Sequence, residues 1–439
     1  MTDTVSSTES RPAHLTRTAA LETVAATAAL LFNNGQTTER VVIAAERLGH
    51  ALGVPLTLHP HWGELALQVK GAPFSEMVPV TPIAVDMGKV LAVMTVVDQV
   101  CDGALPREAA GPALAAAGRL PPASTPRFAL FAAIGAASLG VLFGALDVPS
   151  LLLIALSAGA GALLRRWLVT LGGNPFIQPL CAAALAGAVA AAADRLQLAE
   201  APSLVALCPC MMLVPGPHIL NGAIDLVRTR ITLGVARLTY SALILLMICA
   251  GLLTGLAGGG ATVLAAGASA PVPLAADVIA AGCAVAGFGT LFSMPWRLLP
   301  VPVAVGMLAH AARWAMLSLA GAHVAAGALV ACILASIIIT PVTDRLHLPF
   351  AAFGFSAVVS MMPGFFLFRA ASALTALVSI GPDAPVDLLT SIVVNGTTAF
   401  LIVLAMTIGL VLPRMLFEHF LPAPASRRWP PAIPDTRDN

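Results

Sequence analysis

The sequence predicts an all-α polytopic membrane protein. About ten transmembrane helices form two inverted five-helix repeats, behind a small, mostly helical N-terminal domain with a β-hairpin. Three observations predict it. The 439 residues are 58% hydrophobic and 10% charged, with mean hydropathy +0.90, more apolar than a normal water-facing surface. Beyond residue 125, ten apolar runs approach the roughly 20 residues that cross a bilayer's hydrocarbon. Short motifs also recur in the same order in the two sets of five runs.

The first fifteen residues are polar, lack an apolar core or cleavage site, and are expected to be disordered and cytosolic. From 16 to 125 the chain reads as a soluble domain. Leu21, Val24, Ala28 and Leu31 share a helical face, Asn33-Asn34-Gly35 punctuates, and Val41, Ala45, Leu48 and Leu52 begin a second face. Val54, Leu56 and Leu58 alternate, as do Leu65, Leu67 and Val69, which predicts a hairpin around His59 to Gly63. Two further helices are expected, near 86–100 and 106–117, before the linker PPASTPR.

The ten runs cover 128–146, 149–164, 176–193, 204–223 and 236–256, then 278–292, 301–319, 324–341, 350–368 and 388–412. They divide into membrane repeats over 126–257 and 270–413, with a cytosolic tail from 414 to 439. A cytosolic N-terminus puts Arg165, Arg166, Arg228, Arg230, Arg237, Arg297, Arg345, Arg414, Arg427 and Arg428 inside. Only Arg195, Arg313 and Arg369 fall at or towards the outer side, which fits the positive-inside rule. Both termini are therefore expected in the cytosol.

The repeat rests on three matches. DRLQL at Asp194 recurs as DRLHL at Asp344, MMLVPG ending at Gly216 faces VSMMPG ending at Gly364, and Arg165 falls on Arg313. Five is odd, so tandem copies enter the membrane in opposite directions, the common build of secondary transporters. Pro215, Gly216 and Pro217 in one half, and Pro363 and Gly364 in the other, interrupt corresponding spans. A proline inside a helix costs about 3 kcal/mol, and the carbonyl it frees needs a partner or a wet cavity, so matched breaks predict a substrate site.

The soluble-domain segment LLFNNGQTTERVVIAAERLGHALG, with LVPGPHILNGAIDLVRTRITLGVARL, GFGTLFSMPWRLLPVPVAVGMLAH and FGFSAVVSMMPGFFLFRA, resembles the threonine/serine exporter family over nearly the whole chain. That resemblance implies an exporter of small hydroxy amino acids in the bacterial inner membrane, driven by the proton motive force. Related two-half proteins are linked to dicarboxylate export, so a diacid such as succinate is the alternative substrate. A non-transport scaffold or membrane enzyme is the alternative class. An intramembrane protease would need paired aspartates or a serine–histidine arrangement, and none is evident in the sequence. The soluble domain is expected to regulate or gate.

Candidate residues follow from chemistry and position. Asp225 either accepts the substrate ammonium or relays a proton, or it forms an interfacial ion pair with Arg228 or Arg237. Asn221 and Arg369 correspond in the two halves; Arg369 either meets a substrate carboxylate or snorkels. His218 and His310 are candidate proton carriers, with packing as the other reading. Asn395, Thr397 and Thr398 either bind substrate polar groups or hold helices together. Arg165 and Arg313 read more simply as interfacial anchors.

No metal, cofactor or nucleic-acid partner is expected. His59, His61 and Glu64 make a polar turn, the seven cysteines show no ligand spacing, net charge is only +1, and no phosphate-binding Gly-Lys-Ser/Thr loop occurs. The partners expected are threonine or serine, protons and the lipid bilayer, and a homo-oligomer stays open.

Overall fold

The computed structural model describes residues 17–71, 75–172, 174–259, 272–345, 350–361 and 363–420. The expected disorder of 1–15, most of the C-terminal tail and part of the DRLHL repeat lie outside the described residues. The chain divides after Pro121 into two compact units.

In the first unit, α1 (Arg17–Asn33) and α2 (Thr38–Ala51) precede strands β1 (Leu56–Pro60), β2 (Glu64–Val69) and β3 (Ser75–Pro79). Helix α3 (Met87–Cys101) and, after a 3-10 turn, α4 (Ala110–Gly118) complete it. Helix α1 stops at the Asn-Asn-Gly punctuation, where Gly35 adopts φ +87° and the Asn33 side chain accepts from the Thr81 N–H at 2.7 Å. Asp86 caps α3 by accepting from the Lys89 N–H. The hairpin pairs Leu58 with Leu67, and Leu65 and Leu67 are buried with Leu31, Phe32 and Leu48. The sheet has a third strand that the sequence reading missed: β3 pairs antiparallel with β2. It carries an exposed Met77 and ends in proline, so it lacks the apolar alternation that marks a strand with a buried face.

The second unit is helical: α5 (Thr125–Leu142), α6 (Val148–Leu171), α7 (Ile177–Arg195), α8 (Pro202–Met211), α9 (Gly216–Val227) and α10 (Ile231–Gly258), then α11 (Leu274–Leu291), α12 (Pro300–Ser318), α13 (Val324–Arg345), α14 (Phe350–Val358), α15 (Gly364–Ile380) and α16 (Val386–Phe420). Among the described residues, eight helices are long and apolar enough to cross a membrane, and two bent pairs raise the number to ten. The bent pairs are the two interrupted spans: α8 and α9 meet at 57°, and the segments flanking Pro363 meet at 47°. Helix α16 passes through Pro413 to Phe420, so it continues beyond the expected start of the tail.

The order of helix neighbours is the same in both sets. α7 packs on α10 as α13 packs on α16; α5 on α6 as α11 on α12; α9 on α10 as α15 on α16. The tightest packing is backbone against backbone. A side chain at Gly251 or Gly255 of α10 would run into the carbonyl oxygens of Leu180 and Ala184 on α7, the small-residue spacing that lets apolar helices approach closely. The first helices of the two sets cross at Gly135 and Gly287, where a Cβ on Gly287 would lie 2.8 Å from the Gly135 Cα.

Candidate functional site: a cavity between two broken helices

Pro215 offers no N–H to α8, and the chain leaves the helix after Met211. The backbone is repaired locally: Leu213 N–H donates to Cys210 O at 3.0 Å, Val214 to Met211 O at 3.3 Å and Gly216 to Val214 O at 2.8 Å. Pro215 then serves as the N-cap of α9 and Pro217 sits in its first turn, where a missing N–H costs nothing. Pro363 plays the same part for α15. The two breaks face each other, with a Cβ on Gly364 standing 3.4 Å from Met211 Cγ and 3.8 Å from a Val214 methyl.

Between them lies a small cavity lined by Leu139, Met211, Val214, Phe288, Val359, Ser360 and Gly364. Its one polar side chain leads inward. The Ser360 hydroxyl lies 2.8 Å from His310 Nε2, and His310 Nδ1 lies 3.1 Å from Asp277 Oδ2. All three are buried, His310 to 1% exposure. Three segments assemble this chain: the first turn of α11, where a helix N-terminus favours a carboxylate; the middle of α12; and the 3-10 turn before the second break. An imidazole that donates from Nδ1 to Asp277 accepts from Ser360 at Nε2, and a second proton on Nε2 reverses that bond. Arg313 is one turn from His310 on α12, and its buried Nε has no hydrogen-bond partner.

Of the sequence-predicted residues, His310, Pro215, Pro363, Gly216 and Gly364 are at or beside the cavity or its flanking breaks. The sequence missed Asp277 and Ser360. A serine–histidine arrangement that was not evident in the sequence is therefore present inside the helices. Asp277 is an acid in an apolar run, a usable signal, but setting the sixth run to begin at 278 excluded it.

Asp225 takes the form of the second sequence reading, an ion pair. Its Oδ2 lies 3.1 Å from Arg237 Nε with side-chain exposures of 1% and 0%, and Arg230 Nη1 stands 3.7 Å from Oδ1. This is the ion pair with Arg237 that one reading expected, with both side chains buried in the protein. It joins a residue of α9 to one of α10 and lines neither the cavity above nor the one described below. His218 is buried edge-on against Tyr240, with ring centroids 5.2 Å apart. Asn221 is buried on α9, and the half-exposed Arg369 lies over the Phe365 ring at 5.3 Å.

The NGTT cluster divides. Asn395 donates to Ser391 O at 2.7 Å and Thr398 is buried, whereas Thr397 is exposed. Residues three apart share a helical face and residues two apart do not, which separates Thr397 from Asn395. Among the described residues no group of three or more His, Cys, Asp or Glu side chains is placed to hold a metal.

A second small cavity adjoins the first break. Met212 and Leu213 line it while Met211 and Val214 line the other, so one short segment borders both.

Residues 277–416 match the family model described as threonine/serine exporter, ThrE, and residues 22–258 match its companion ThrE model. The chain belongs to the threonine/serine exporter family. The two matches run in tandem, the first covering most of the first unit and α5–α10, the second α11 to α16, so this exporter-family chain is the fused form. It is a multi-pass membrane transporter of threonine/serine exporter type. No curated protein and no solved structure matches it.

Proposed function

We propose that this chain exports threonine and serine across the bacterial inner membrane, exchanging them for protons, with the cavity between the two breaks as the central site. The observation that carries the proposal is the unbroken polar chain from that cavity to a buried carboxylate: Ser360, His310, Asp277. A histidine in such a chain can take and release a proton, and a serine hydroxyl on the cavity wall can exchange hydrogen bonds with a hydroxy amino acid. Carbonyls at the C-terminal end of α8 suit the substrate ammonium. Opposite entry of the two five-helix sets, with both termini cytosolic, would let them rock about this site.

The same three residue types make a hydrolytic triad. The matches to two exporter family models favour transport instead.

The test is efflux from cells preloaded with a threonine-containing dipeptide, with and without the chain, and again after the proton gradient is collapsed. Faster threonine or serine efflux that disappears with the gradient is expected. Succinate efflux without threonine efflux would assign the chain to diacids, and efflux indifferent to the gradient would remove the proton coupling.

A further inference from the structure

Among the described residues, the one charged side chain lining the second cavity has no carboxylate partner. That side chain is Arg165 on α6, and the Arg165 Nε is shielded from solvent without a hydrogen-bond partner. Its guanidinium has a ring for company, that of Phe128 at 5.8 Å, and among the described residues no carboxylate pairs with it. The neighbouring Arg166 is committed elsewhere, donating to Ala123 O at 2.8 Å. Two turns along the same helix, Ser157 also lines the cavity; it is 3% exposed and its hydroxyl has no partner. The remaining wall is apolar, including Pro209, Met212 and Leu213 beside the break. A guanidinium Nε shielded from water and a buried hydroxyl, neither with a partner, are costly in an apolar wall, and a carboxylate suits both groups.

We infer that Arg165 and Ser157 form a carboxylate-binding subsite on the far side of the first break from the Ser360–His310–Asp277 cavity. Its ligand is a small carboxylate, either the α-carboxylate of the amino acid or one end of a diacid. The inference deepens the exporter reading and rests on it only for the identity of the ligand. Arg165 thus acquires a task beyond the interfacial anchoring its sequence position suggested. Its place beside Met212 and Leu213 puts the captured carboxylate one non-helical segment away from the proton-carrying chain.

The experiment is equilibrium binding of radiolabelled threonine, succinate and threoninamide, which lacks the carboxylate, to the full-length protein in detergent. The proteins compared are the unmodified chain, Arg165→Gln, Arg165→Lys and Ser157→Ala, each checked for a single species by size exclusion. Arg165→Gln is expected to weaken the bound carboxylate ligand about tenfold to a hundredfold, and Ser157→Ala about two- to tenfold. Arg165→Lys should retain part of the affinity. If threonine is the ligand, its preference over threoninamide should vanish in Arg165→Gln. If succinate binds in its place and shows the same losses, the subsite stands and the threonine reading falls. Unchanged carboxylate affinity in both Arg165→Gln and Ser157→Ala overturns the subsite and leaves the exporter reading intact. If Arg165→Gln does not fold, the conservative Ser157→Ala decides by the same criterion. Failure of the unmodified chain to bind any carboxylate also overturns the subsite, while the cellular efflux assay judges the exporter reading separately.

Discussion

His310 Nδ1 lies 3.1 Å from Asp277 Oδ2, although 33 residues separate them in the chain. The imidazole is held at both nitrogens, by a carboxylate on one side and a hydroxyl on the cavity wall on the other. His310→Gln keeps hydrogen-bonding groups but cannot titrate. We expect proton-driven threonine efflux to fall about tenfold or more, as losing ~1.4 kcal/mol or more of coupling would require, while exchange of labelled for unlabelled threonine persists. Asp277→Asn should do the same. The readout is efflux and exchange in proteoliposomes with and without an imposed gradient; intact driven efflux in both variants would reduce His310 to a packing residue.

The Asp225–Arg237 pair predicts a different pattern, in stability. Removing one member leaves a buried charge uncompensated, a cost of roughly 3–5 kcal/mol, whereas replacing both with apolar residues removes both desolvation penalties. Asp225→Leu and Arg237→Met should each lower the apparent melting temperature in detergent strongly, and the double variant should recover most of the loss. A double variant as unstable as the two singles combined would mean that the pair itself holds α9 to α10.

The breaks can be tested by restoring the missing N–H groups. Pro215→Ala or Pro363→Ala shifts the local preference towards continuous helix by up to about 3 kcal/mol. Each is expected to reduce efflux markedly with the protein still in the membrane, as judged by immunoblot of the membrane fraction. Full export by both variants would falsify the broken-helix site.

The breaks were legible in the sequence because proline and glycine act on their own backbone, so a local motif suffices. The eight unbroken candidate spans were legible for the same reason, since bilayer thickness sets a length that apolar runs must meet. The polar chain was not, because Asp277, His310 and Ser360 come from three separate segments and are joined only by tertiary packing. Strand β3 escaped because an edge strand with an exposed Met77 has weak periodicity to detect. The exposure of Thr397, by contrast, was available from helical spacing alone, since it is two residues from Asn395 and Thr398 is three.

Four consecutive residues, Met211 to Val214, border two compartments. A partition this thin cannot be altered on one face alone. Bulk added at Met212 on the Arg165 side would press on Met211 and be felt beside Ser360, so on the proposed reading selectivity for one end of a solute and access to the His310 chain would change together.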